Sequence, residues 1–151
     1  MITSNERTIS SLTHLSALTQ YFIPFGNFIF PIIIWSSKKN DSEFIDYNGK
    51  QALNFQLSIF LYSLILCLIA IPVIIYLVLN NIAFRTAFHG CDFEFHDFNF
   101  SAISGKITLV VIAALIFGFL KVIEFILIIY AAVKATNGER YKYPLSIPFF
   151  K

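Results

Sequence analysis

The sequence predicts an all-α polytopic transmembrane protein with three helical spans, the first kinked and the second amphipathic at its start. Three observations carry this expectation. The 151 residues are 57% hydrophobic and only 13% charged, far from the charged shell of a soluble domain. Apolar runs recur at the length a hydrocarbon core of about 30 Å requires, about 20 residues at 1.5 Å each. The intervening stretches carry Lys and Arg unevenly, as the stretches flanking membrane spans do. One transmembrane domain over residues 1 to 151 follows, with spans at about 12 to 35, 53 to 79 and 107 to 133.

The first segment, "LTHLSALTQYFIPFGNFIFPIIIW", mixes His14, Ser16, Gln20 and Asn27 with apolar residues and contains Pro24, Gly26 and Pro31. Proline removes a backbone donor and crowds the preceding turn, so this helix is expected to bend and to pack against protein. Glu6 and the Ser/Thr-rich stretch after it do not suit a cleaved signal.

A charged linker from Ser36 to Glu43 leads into the second helix, with Asp46 or Asn48 as the expected cap. Tyr47, Gln51, Asn54, Ser58 and Tyr62 fall in one narrow stripe at 100° per residue. Such a stripe either packs against the first helix or lines a ligand or ion path.

Residues 80 to 106 form the longest polar interruption, with Phe93, Phe95, Phe98 and Phe100 around His96 and Asp97. These rings suit a membrane interface, a short hairpin being the alternative, and they are candidate anchors for a partner. His89, Cys91, Asp92, His96 and Asp97 match no established metal spacing, so no metal or other cofactor is expected. Cys67 and Cys91 read as free thiols, one in a span and one in a loop.

The last span contains Lys121 and Glu124, three residues apart and close enough to pair. A lone charge at the bilayer centre costs about 3 kcal/mol on insertion scales, so the pair is expected to be buried against protein, either the polar stripe or a partner subunit. Gly138 suits a helix C-terminal cap, and Tyr141 and Tyr143 suit the interface.

Lys38, Lys39, Lys50, Lys134, Arg140, Lys142 and Lys151 fall on one side of a three-span chain, and Arg7, Arg85 and Lys106 on the other. The linker at 36 to 50 and the C-terminus are then cytoplasmic, and the N-terminus and the 80 to 106 loop extracytoplasmic. The net charge of +2, carried on scattered residues, excludes a nucleic-acid surface.

The segments "PFGN" (24 to 27), "GKQALNFQLS" (49 to 58) and "AAVKATNGERYKYPL" (131 to 145), with "HLS" (14 to 16), Pro31 and Trp35, resemble a bacterial domain-of-unknown-function family of small membrane proteins. That family is similar to the twenty-kilodalton Tic component of the chloroplast inner-envelope translocon. The resemblance implies a multi-pass protein of the bacterial inner membrane with a link to protein translocation. The long 80 to 106 loop and the Lys121 and Glu124 pair depart from its pattern.

Neither a nucleophile with its base, nor paired carboxylates on one helix face, nor a Gly-rich phosphate cradle is present, so no catalysis is expected. The leading expectation is a non-catalytic accessory or scaffold subunit that contacts the lipid bilayer and other integral membrane subunits. The alternative is an oligomeric channel or small transporter using Lys121 and Glu124. Three helices cannot enclose a path alone, so that alternative needs a homo-oligomer.

Overall fold

A computed structural model of the chain describes residues 2 to 80 and 105 to 150. Helix α1, Ser4–Leu15, starts at a capping box: the Thr3 hydroxyl accepts the Glu6 N–H at 3.3 Å while the Glu6 carboxylate accepts the Thr3 N–H at 2.7 Å. The chain then tightens into a 3₁₀ turn, Ser16–Tyr21, where the Ser16 and Thr19 hydroxyls donate back to the carbonyls of Thr13 and Ser16. Phe25 takes a left-handed conformation, φ 60°, and Gly26 opens helix α2, Gly26–Lys38. A side chain at Gly26 would collide with Thr19, so this glycine lets the chain fold back on itself.

The stretch expected as one kinked span is therefore a hairpin. Leu12 to Trp35 contains the end of α1, the 3₁₀ turn, a reversal and most of α2, and α2 has only 13 residues, about 20 Å at 1.5 Å each. Hydroxyl groups that compete for backbone carbonyls, followed by Pro24 without an N–H, break the helix before it reaches spanning length.

Helix α3, Glu43–Asn80, and helix α4, Gly105–Thr136, are the two described helices long and apolar enough to cross a membrane. Ser42 caps α3 by accepting the Phe44 N–H at 3.2 Å, so neither Asp46 nor Asn48 serves as the cap. Helix α4 is closed just beyond Thr136 by Gly138, φ 79°, in a Schellman motif: Gly138 N–H donates to the Ala135 carbonyl and Glu139 N–H to the Lys134 carbonyl, each at 2.9 Å.

The chain divides into two compact units. The larger, Met1–Tyr62 with Leu120–Lys151, contains α1, the hairpin, α2, the start of α3, the end of α4 and the C-terminal tail. Its core gathers Ala17, Phe55, Ile59, Ile128, Ala131 and Tyr143. Trp35 packs against Gly49, where any Cβ would overlap its side chain, and its Nε1–H donates to Asp46 at 2.9 Å, which fastens α2 to α3. The smaller unit, Ser63–Phe119, contains the rest of α3 and α4, with Leu68, Leu115 and Phe119 each about two-thirds exposed. Apolar side chains so exposed on spanning helices suit contact with lipid.

The N-terminus does not lie opposite the C-terminus. Thr136 donates to the Ser11 hydroxyl at 3.1 Å and the Arg7 guanidinium lies beside Gly138, so the start of α1 meets the end of α4. With these two ends together, the expected placement of the N-terminus across the membrane from the C-terminus is not supported.

Candidate functional site

Within the larger unit, α3 carries a polar ladder on an otherwise apolar helix, and its rungs hold the backbone of the C-terminal tail. The Asn54 side-chain Oδ1 accepts the N–H groups of Phe149 and Phe150 at 3.1 and 2.8 Å, and its side-chain amide donates to the Phe150 carbonyl at 3.0 Å. One turn on, Ser58 accepts the Ile147 N–H at 2.8 Å and donates to the Asn54 carbonyl at 2.7 Å. A further turn on, the Tyr62 hydroxyl donates to the Leu145 carbonyl at 3.1 Å. Residues 141 to 150 form no helix or strand, so the backbone polar groups bound here have no secondary-structure ladder of their own. An unpaired amide in apolar surroundings costs several kcal/mol, and the ladder removes that cost for the groups it binds.

A second buried cluster joins three segments. His14 of α1 lies between Asn48 of α3 and Tyr143 of the tail, its Nε2 and Nδ1 each 3.0 Å from the partner oxygen, and all three residues are buried. Asn48 donates its amide to the Phe44 carbonyl at 2.9 Å, which points its oxygen at His14. His14 Nε2 therefore donates, Nδ1 accepts, and the Tyr143 hydroxyl is the donor to it. Every polar atom of the cluster is satisfied with His14 neutral. Burial holds His14 down at about 4, against a smaller opposing effect of the Asn48 hydrogen bond. The Tyr143 ring stacks on Phe55 with centroids 4.0 Å apart.

Lys121 and Glu124 form an ion pair at 2.8 Å, with Glu124 fully buried and the Lys121 side chain one-third exposed. The second carboxylate oxygen accepts the Gln20 amide at 2.9 Å, so the hairpin, and not the α3 stripe, faces the pair. Asn27 of α2 donates to Gln56 of α3 at 2.9 Å. Around the ends of α2 and α4 and the start of α3 lies a charged rim of four ion pairs: Lys38 with Asp41, Lys50 with Asp46, Lys134 with Glu139, and Arg140 with Glu43.

Of the stripe read from the sequence, Asn54, Ser58 and Tyr62 bind the tail, Tyr47 lies under the Arg140 guanidinium at 5.3 Å, and Gln51 is half-buried. Phe93, Phe95, Phe98 and Phe100, with His89, Cys91, Asp92, His96 and Asp97, lie outside the described residues. Sequence reasoning missed Asn48, Gln56 and Tyr143 as interior hydrogen-bonding groups. Their partners are distant in the chain, and only the polar character of Asn48 and Gln56 inside an apolar helix was a signal.

These features define a helical membrane protein in which buried polar side chains tie its own segments together. More particularly, the chain belongs to the magnetosome magnetite crystal formation protein family (MamF/MmsF), whose family model matches residues 5–150. Neither curated proteins nor solved structures provide a match. The match corrects the resemblance to translocon-like proteins. The blocks that carried that resemblance, around residues 24 to 27, 49 to 58 and 131 to 145, all lie within the matched segment, and a link to protein translocation has no support.

Proposed function

We propose that this chain is a non-catalytic component of the magnetosome membrane that acts in magnetite crystal formation by assembling with other membrane proteins. The observation that carries the reading is the family match across residues 5–150, which takes in the whole ladder and both spanning helices. In this reading α3 and α4 are the two crossings, and both termini with the 36 to 43 linker face the cytoplasm. Arg7, Lys38, Lys39, Lys50, Lys134, Arg140, Lys142 and Lys151 then lie on that face, with only Arg85 and Lys106 on the other, which supports the orientation. The Lys121 and Glu124 pair is assigned to packing, because both carboxylate oxygens are already engaged by neighbouring side chains.

Deleting the gene and imaging the crystals by electron microscopy tests the reading. Smaller or misshapen crystals, restored by the intact gene, are expected, and unchanged crystals overturn it. Cysteines placed at Ser4 and Asn40, with Cys67 and Cys91 replaced by Ser, are expected to react with an impermeant reagent from the cytoplasmic face alone. Labelling of Ser4→Cys only from within the compartment overturns the two-crossing topology.

A further inference from the structure

We propose that the α1–α2 hairpin and the C-terminal tail are a wedge inserted into one leaflet, which favours membrane that is convex on the face carrying the termini. The contacts that carry this lie within the larger unit. The charged rim, with Lys50 on α3 and Lys134 on α4, marks the headgroup level, since these ion pairs are partly exposed and ring the ends of apolar helices.

Depth below that rim is read along the helices. The hairpin reaches Gln20, bonded to Glu124, and Tyr21, whose ring meets Phe125 edge-on. Glu124 lies 10 residues before Lys134, about 15 Å at 1.5 Å per residue. The tail reaches Leu145, bonded to Tyr62, which is 12 residues beyond Lys50 and so about 18 Å down. Half of a hydrocarbon core is about 15 Å. Both insertions therefore enter from the rim, reach the middle of the bilayer and return.

The tip identifies what surrounds it. Phe22 is 88% and Phe25 66% exposed, beside Tyr21 and Ile23, which are about half exposed. The tip is apolar, lies at the depth of acyl chains, and carries no charged side chain from Tyr21 to Phe25. Acyl chains of the entered leaflet are the occupant that matches this chemistry and this depth. The ladder and the Gln20 amide satisfy inserted polar groups that lipid would leave unpaired.

The consequence is mechanical. In the leaflet below the rim, the two spanning helices are joined by α1 with its 3₁₀ turn, by α2 and by the tail. Among the described residues this added material lies in one leaflet, and material added to one leaflet expands it and lowers the cost of bending the membrane outward on its side, as interfacial amphipathic helices do. A compartment that encloses a crystal presents its convex leaflet to the cytoplasm, which is where the proposed orientation puts the wedge.

The test uses the full chain in liposomes, with no mineral. A nitroxide at Phe22→Cys, with Cys67 and Cys91 replaced by Ser, is expected to show oxygen accessibility typical of the bilayer centre, whereas one at Ser4→Cys reads as headgroup. In vesicles of mixed size with the termini outward, the unlabelled chain is expected at about 3-fold higher density per lipid on ~50 nm than on ~200 nm vesicles. Phe22→Ser with Phe25→Ser still inserts through α3 and α4 and is expected to lose most of that preference. A water-exposed nitroxide at position 22, contact of that nitroxide with a second copy in place of lipid, or equal density on both sizes overturns the wedge. Because the geometry does not depend on the mineral reading, normal crystals in a deletion strain leave the wedge standing, and failure to sort leaves the family assignment standing.

Discussion

Tyr143 donates its hydroxyl to Nδ1 of His14, 129 positions earlier in the chain and 3.0 Å away, and so fastens the tail to the first helix. Removing only that hydroxyl, Tyr143→Phe, leaves the stack on Phe55 but strands a buried acceptor on His14, which costs about 1 to 3 kcal/mol. The unfolding midpoint in mild detergent is expected to fall accordingly. An unchanged midpoint means that His14 is satisfied in some other way.

The burial of this same histidine makes stability depend on acidity. Below pH 6.5 an unfolded chain takes up a proton that folded His14 refuses until about 4. The folded state is thus fully stable with respect to this group above pH 6.5 and loses about 3 kcal/mol as the pH falls through that window. His14→Gln keeps a donor for Asn48 and an acceptor for Tyr143 but does not titrate. Its melting curve is expected to be flatter between pH 6.5 and 4 than that of the wild type, and parallel curves would show that other groups dominate.

Asn54 makes three of the bonds that hold the tail. Asn54→Leu leaves the Phe150 N–H and carbonyl unpaired, while the Phe149 N–H keeps its bond to the Ile147 carbonyl, so the tail is expected to open at least ~10-fold more often, at 1.4 kcal/mol per factor of ten. Carboxypeptidase trimming of the detergent-solubilised protein measures this. Trimming no faster than in the wild type would place the holding force in Ser58, Tyr62 and Tyr143.

Glu124→Leu removes an acceptor that Lys121 and Gln20 share, and a charge without its counter-ion near the bilayer centre costs about 3 kcal/mol on insertion scales. A lower yield of membrane-inserted protein is expected. Lys121→Leu together with Glu124→Leu recovers part of the loss, and adding Gln20→Leu recovers more, because the last stranded amide is then gone. If the triple variant inserts no better than the single one, the cluster is not a packing device.

Gly49→Val forces a side chain into the Trp35 ring, and overpacking of this kind costs about 1 to 3 kcal/mol. Tryptophan emission is expected to shift to the red as the ring is expelled, a signal that comes from a single residue because the chain has one Trp. An unmoved spectrum would show that α2 can slide away from α3 without cost.

Composition and run length by themselves determined that this is a helical membrane protein and picked out the apolar runs that lie within α3 and α4, because lipid demands continuous apolar helices of about 20 residues; that α3 begins at Glu43, ten residues before its apolar run, was not in them. The Lys121 and Glu124 pair was legible for the same local reason, since three residues along a helix bring two side chains together. Only the tertiary structure decided that Leu12 to Trp35 turns back on itself, because the outcome hangs on hydroxyls bonding the preceding turn and on Gly26 passing Thr19. Only it showed what the stripe on α3 holds. Helical spacing reveals that Asn54, Ser58 and Tyr62 share a face, but their partners lie more than 80 positions away in the chain, and such pairings are set by how the whole chain packs.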